Sequence, residues 1–170
     1  AIENEIDVEI IPGPSAIITS LVVSGLKTTP FIFLGFFPRK KREVLDLIDK
    51  YFYIKATLIF YESPHRILET LSFLKDTFPE RKGAVVKELT KIFEKVYRGT
   101  IKELYEKIEK SEIKGEYVIL IEGEEKSEWE KDLEILESMN LTKQEILKFM
   151  IKKYKGIKNT IKKRLFKNES

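Results

Sequence analysis

The sequence predicts an α/β fold, with a mixed sheet of about five strands flanked by helices and a small all-helical tail behind it. Three observations predict it. Between residues 13 and 123, short apolar or β-branched runs alternate with segments of helical period. Several of these runs are apolar at nearly every position, as strands covered on both faces are. Beyond Glu124 only the helical period remains.

The elements follow in order. Val8 to Ile11 is a β-branched run that reads as a strand, stopped by Pro12-Gly13-Pro14-Ser15. An apolar helix runs from Ser15 to about Ser24, closed by Gly25. Phe31 to Phe36 is a buried strand ended by Pro38, and a basic turn leads into a helix with Val44, Leu45, Leu47, Ile48 and Tyr51 on its apolar face. Ala56 to Tyr61 is the next strand. Ser63 is expected to cap the following helix, with Pro64 at its first position and Ile67, Leu68, Leu71 and Leu74 as its stripe. Ala84 to Lys87 and Phe93 to Arg98 succeed each other like a hairpin, which makes the sheet mixed. Thr100 caps a helix carrying Ile101, Leu104, Tyr105 and Ile108, and Glu116 to Glu122 is the last strand. In the tail, Ser127 to Met139 is one helix, Thr142 caps a second, and a third follows a break at Lys155-Gly156, a helix-turn-helix-like unit.

Composition narrows the function classes. The 170 residues are 42% hydrophobic, enough for one full core and against wholesale disorder. No cysteine is present, so disulfides and thiolate metal sites are excluded, which fits a reducing cytoplasm. No residues stand at metal-ligand spacing, and no apolar run is long enough for a membrane-spanning helix. The net charge of +3 hides an asymmetry: from Leu141 onward nine lysines and one arginine oppose two glutamates, giving +8 and leaving −5 on the first 140 residues. A basic tail on an acidic body points to a polyanion partner; a lysine-rich compositional bias produces the same run.

Three polar segments interrupt the apolar pattern where strands are expected to end, the place where open α/β sheets bind ligands. Ile11-Pro-Gly-Pro-Ser-Ala16 opens a helix, whose first N–H groups lack intrahelical acceptors, and it serves equally as a rigid turn. Tyr61-Glu-Ser-Pro-His-Arg66 crowds a carboxylate, the only histidine and a guanidinium into one turn. Lys87-Glu-Leu-Thr-Lys91, with Glu94, is the third, and a charged hairpin connection accounts for it as well. Together they form a candidate rim for a single site.

The ordered segments IPGPSA at 11–16, GFFPRK at 35–40, FYESPHR at 60–66, KELTK at 87–91 with Glu94, RGT at 98–100 and KGEYVILIEG at 114–123 resemble the ribosomal RNA small subunit methyltransferase I family of the tetrapyrrole methylase superfamily. FYESPHR followed by ELTK carries most of the specificity. The resemblance implies an S-adenosylmethionine-dependent enzyme that methylates the ribose 2′-hydroxyl of a cytidine in 16S ribosomal RNA, as a cytoplasmic homodimer without a metal. The cofactor would lie between two α/β domains. On this basis residues 1–12 are expected to be the end of an N-terminal methylase domain that the chain otherwise lacks, residues 13–125 the C-terminal methylase domain, and residues 126–170 a basic helical unit. A fragment of that kind is expected to be inactive alone. Lys87 stands where the family usually has arginine, which keeps the charge but loses the planar fork.

The expected cofactor contacts are Ser15, Ala16, Tyr61, Glu62, Leu89 and Thr90, supported by Glu116 and Tyr117. Glu62 and Lys91 are the candidate catalytic residues; Lys91 acts as a base only if its pKa is depressed, and ordering of the site is the competing role for both. RNA contacts are expected from Arg39, Lys40, Lys41, Arg42 and Arg66, and from Lys152, Lys153, Lys158, Lys162 and Lys163 in the tail. Phe36 and Phe37 are candidates either for stacking on a base or for the core. Two other functions fit the same residues less fully: a porphyrinoid C-methyltransferase, which has no evident use for a basic tail, and a non-catalytic RNA-binding module.

Overall fold

The computed structural model describes residues 2–124, 127–154 and 158–166, without the side chains of Thr160 and Lys163. It divides into two compact units, residues 1–124 and 125–170.

In the first unit five strands form one mixed sheet: β1 (Phe31–Phe36), β2 (Thr57–Glu62), β3 (Lys82–Lys87), β4 (Lys95–Thr100) and β5 (Tyr117–Glu122), in the order β1-β2-β5-β3-β4. β1 and β2 are parallel, while β5 runs antiparallel to both β2 and β3, and β4 antiparallel to β3. The carboxyl ends of β1, β2 and β3 therefore share one edge of the sheet with the start of β5. The three central strands are buried along almost their whole length, which is why their sequences show unbroken apolar runs. Helix α1 (Ala16–Ser24) packs on one face, where Leu21 meets Ile59, Ala84, Val86, Val118 and Leu120. Helices α2 (Lys41–Tyr51), α3 (Ile67–Thr77) and α4 (Ile101–Glu109) supply the larger cluster on the other face, around Phe37, Phe52, Phe60, Leu71, Leu104 and Ile119. Each such fully buried side chain contributes roughly 1.5–3 kcal/mol.

Helix starts follow local chemistry. Thr100 caps α4 with the expected capping box, its hydroxyl accepting from Glu103 N at 3.3 Å while the Glu103 carboxylate accepts from Thr100 N at 2.9 Å. Ser63 does not cap α3, contrary to expectation. The helix begins at Ile67 with Arg66 at the cap position and no side-chain cap bond, and the Ser63 backbone N–H donates to the Glu62 carboxylate at 2.7 Å. Two strand expectations also change. Val8 to Ile11 is irregular and exposed: among the described residues no strand pairs with it, and a β-branched run without a partner has no ladder to join. The strand expected at Phe93 begins at Lys95, because residues 88–94 form a tight turn with Ile92 and Phe93 at its exposed tip.

The second unit consists of α5 (Glu128–Ser138), α6 (Lys143–Lys153) and α7 (Lys158–Leu165) around Leu133, Ile146, Met150, Ile161 and Leu165. Thr142 caps α6 with Glu145. The expected break at Lys155-Gly156 lies outside the described residues.

Candidate active site

The strand register sets the site. Glu62 stands opposite Tyr117, and Tyr117 opposite Lys87, so the ends of β2 and β3 meet the start of β5 in one row. A cleft of about 520 Å³ opens along this edge on the α1 side. Ser15 and Ala16 bring the start of α1 to it, Tyr61 and Glu62 the end of β2, Leu89, Thr90 and Lys91 the turn after β3, and Glu116 and Tyr117 the start of β5. All eight residues named above as cofactor contacts thus line one cleft, and Lys91 lines it with them. Pro14 and Phe36 line it too, and Thr19, Val86 and Val118, absent from the expected contacts, complete the wall. Periodicity contained the signal: Thr19 lies one helical turn beyond Ser15, and Val86 and Val118 are strand neighbours of Lys87 and Tyr117 that alternate onto the opposite face.

The turn after β3 is held by charge. Glu88 and Thr90 both adopt left-handed backbone, at φ 51° and 63°. The Glu88 carboxylate accepts from Glu116 N at 2.8 Å and pairs with the Lys91 ammonium at 3.1 Å, and Lys91 also reaches Glu116 at 3.2 Å. The Thr90 N–H donates to Glu94 at 2.6 Å. The Glu116 backbone N–H, then Lys91, hold the Glu88 carboxyl below the usual carboxylate range. Hydrogen bonding to Glu88, then to Glu116, raises the pKa of Lys91. A base at neutral pH needs the opposite shift, so Lys91 is a pinned cation.

Glu62 is likewise fully engaged. Its side chain is inaccessible; one oxygen accepts from Ser63 N and lies 3.6 Å from the Arg66 guanidinium, and the other accepts from the Thr70 hydroxyl at 2.6 Å. Arg66 donates to the carbonyls of Phe37 and Pro38, both at 3.0 Å. This chain of contacts ties the loop after β1 to the turn after β2, and it commits Arg66 to the protein backbone. His65 is exposed. Lys87 is buried, its ammonium donating to the Glu112 carbonyl above the Tyr117 ring, and the Tyr117 phenol is pushed up by burial in the larger cluster.

The basic candidates fall in two places. Arg39 and Lys40 line a second hollow of about 480 Å³ that shares Phe36 and Glu62 with the cleft; Lys41 and Arg42 are exposed at the start of α2. In the helical unit Lys152, Lys158 and Lys162 are exposed, whereas Lys153 is paired with Asp132, which also accepts from the Tyr154 hydroxyl. The side chain of Lys163 lies outside the described residues.

The chain is 37% identical over 153 residues to ribosomal RNA small subunit methyltransferase I of Bacillus subtilis (strain 168), covering 90% of this chain and 52% of that protein. It is 44% identical over 132 residues to the protein of the same name from Hydrogenobaculum sp. (strain Y04AAS1), covering 78% and 57%. It therefore spans about half the length of the curated relatives it matches. The crystal structure of diphthine synthase shares the fold, with a TM-score of 0.55 at 13% identity over 71% of this chain and 50% of that one. A family model described as Tetrapyrrole (Corrin/Porphyrin) Methylases matches residues 1–105, and the chain belongs to that family.

Proposed function

We propose that this chain is part of an S-adenosylmethionine-dependent methyltransferase that modifies the ribose 2′-hydroxyl of a cytidine in 16S ribosomal RNA, acting as a cytoplasmic homodimer. The observation that carries this reading is the convergence of Ser15, Ala16, Tyr61, Glu62, Leu89, Thr90, Glu116 and Tyr117 on one cleft. Its volume is in the range of small-molecule sites. The donor set fits the cofactor: Val86, Val118 and Leu89 offer an apolar wall to a planar heterocycle, while the Glu116 carboxylate and the helix start at Ser15-Ala16 offer polar groups to a charged, zwitterionic ligand. When bound, the cofactor supplies an electrophilic methyl group on a sulfonium. Residues 13–125 act as the C-terminal methylase domain and residues 126–170 as a basic RNA-binding unit.

The protein's own contribution in this reading is placement. Aligning a hydroxyl with a methyl carbon supplies much of the acceleration, so a rigid rim matters more than a strong base. Glu62 fixes the loop after β1 through Arg66, and Lys91 fixes the turn after β3 through Glu88 and Glu116. Arg39, Lys40, Lys41 and Arg42, with Lys152, Lys158 and Lys162, are the proposed phosphate contacts. The test is methylation of 16S ribosomal RNA by the complete enzyme, with the modified ribose located by mass spectrometry, together with Glu62→Gln and Lys91→Met at saturating cofactor. Near-normal turnover removes those two residues from catalysis; methyl transfer to a tetrapyrrole and none to RNA replaces the reading.

A further inference from the structure

Strand β1 reads Phe31-Ile-Phe-Leu-Gly-Phe36, with Phe37 following, and simple alternation would send Ile32, Leu34 and Phe36 to one face. Ile32 and Leu34 do pack into the larger cluster. The register with β2 then slips: Phe33 pairs with Ile59 but Phe36 with Tyr61, one residue too many on β1. Gly35, at φ 71°, takes up the extra residue in a left-handed conformation. The bulge exchanges the two following rings. Phe37 enters the core at 3% exposure, against Phe60 and Phe73, whereas Phe36 emerges 66% exposed on the opposite side, its ring 5.8 Å from Tyr61.

This position is particular. Phe36 lines both the cleft and the hollow that holds Arg39 and Lys40, so it stands on the lip between them. Tyr61, itself braced by Phe33 at 4.9 Å, backs the ring edge-on. Among the described residues no carboxylate pairs with Arg39. The Lys40–Glu43 pair, at 3.2 Å, is exposed on both sides and readily exchanged. Arg66 floors the hollow but is spent on the carbonyls of Phe37 and Pro38. An exposed flat ring beside Arg39 and the solvent-exposed, exchangeable Lys40–Glu43 pair matches the alternation of base and phosphate in a single strand of nucleic acid.

We propose that Phe36 is the platform on which a base of the acceptor RNA stacks, with an adjoining phosphate held by Arg39 and Lys40. The proposal deepens the RNA-methyltransferase reading and rests on it for the nature of the acceptor. A protein partner seated along β1 is the competing occupant, but it would need Phe31 and Phe33 too, and neither lines the cleft or the hollow.

The test uses the full-length protein and two fluorescent probes of equal length, a single-stranded oligocytidine RNA and an abasic ribose-phosphate strand. Stacking predicts that the wild type prefers the base-bearing strand by on the order of tenfold. Phe36→Ala and Phe36→Leu should abolish the preference, since leucine keeps apolar bulk but offers no flat face, and Phe36→Trp should keep it. Arg39→Ala with Lys40→Ala should weaken both probes alike and flatten the salt dependence. Absence of a preference in the wild type, or its survival in Phe36→Ala, overturns the proposal. So does a dimer, measured by sedimentation, that Phe31→Ala, Phe33→Ala and Phe36→Ala each dissociate. RNA methylation of the wild type is scored separately. Methylation without base preference removes the stacking role alone, and base preference without methylation removes the proposed activity alone.

Discussion

The carboxylate of Glu88 occupies the space above Gly115 where any other residue would carry its Cβ, and it is held there by the N–H of Glu116. Two loops at the rim of the cleft are thereby interlocked. Gly115 is required twice, since its φ of +82° is also left-handed.

Gly115→Ala should therefore destabilise the protein by roughly 1–2 kcal/mol from the backbone alone, and further by displacing Glu88. In a Glu88→Ala background only the backbone part remains. Denaturant unfolding of the four proteins in the cycle should show that the two losses are coupled, the double variant losing less than their sum. Additive losses would mean that the carboxylate does not depend on the glycine.

The same contact makes a prediction about acid. Folding lowers the pKa of Glu88 from its ordinary 4.5, through the Glu116 N–H first and Lys91 second. A carboxylate of this kind stabilises the fold above its unfolded pKa, and the contribution is lost as pH falls through the lower folded value. Below about pH 4.5, the wild type should lose stability more steeply than Glu88→Gln, and the two curves should converge in strong acid. Thermal melts from neutral pH down to pH 2 measure it; parallel curves would show that Glu88 titrates normally.

The helical unit separates two kinds of lysine. Lys153 is paired with Asp132, whose carboxyl Lys153 and then Tyr154 hold below the usual range, whereas Lys158 and Lys162 are exposed. Lys153→Ala should chiefly lower the melting temperature. Lys158→Ala and Lys162→Ala should leave it unchanged and weaken RNA binding, each lowering the slope of log affinity against log salt by about 0.7 per lost contact to a single strand. Salt titrations of the full chain decide; unaltered slopes in both variants would remove α7 from the interface.

Much of this arrangement was legible in the residues. The central strands declare themselves because burial on both faces demands an unbroken apolar run, and the Thr100 and Thr142 caps because Thr-x-x-Glu satisfies two helix-end N–H groups at once. The three polar segments lead to one cleft because strand ends are where a buried sheet becomes polar. The bulge at Gly35 was hidden: in a stretch apolar at every position but the glycine, alternation gives no sign that the register slips. The Val8–Ile11 run misled for the complementary reason, since β-propensity describes a fit to neighbours and none of the described strands lies beside it. Ser63 misled because Ser-Pro is a sound helix start locally, whereas residues 63–66 form a turn in which the N–H groups of Arg66 and Ile67 both donate to the Ser63 carbonyl, and Arg66 is held there by the carbonyls of Phe37 and Pro38, contacts no local rule contains.

The buried Glu62 carboxylate gives the sharpest distinction among the arginines near the site. Arg39 is exposed, so Arg39→Ala should leave stability within about 0.5 kcal/mol of wild type. Arg66 is the only cation within ion-pair reach of Glu62 among the described residues, and Arg66→Ala would strand an inaccessible negative charge and free the carbonyls of Phe37 and Pro38 together. The expected loss is about 3 kcal/mol. Arg66→Lys should recover little of it, because a single ammonium cannot reproduce the guanidinium fork that spans both carbonyls. Replacing the partner as well, in Glu62→Gln with Arg66→Ala, should be milder than Arg66→Ala alone, since no buried charge is then left unpaired. Urea unfolding of these variants checks the order, and an Arg66→Ala protein as stable as Arg39→Ala would show that the carboxylate needs no counter-charge.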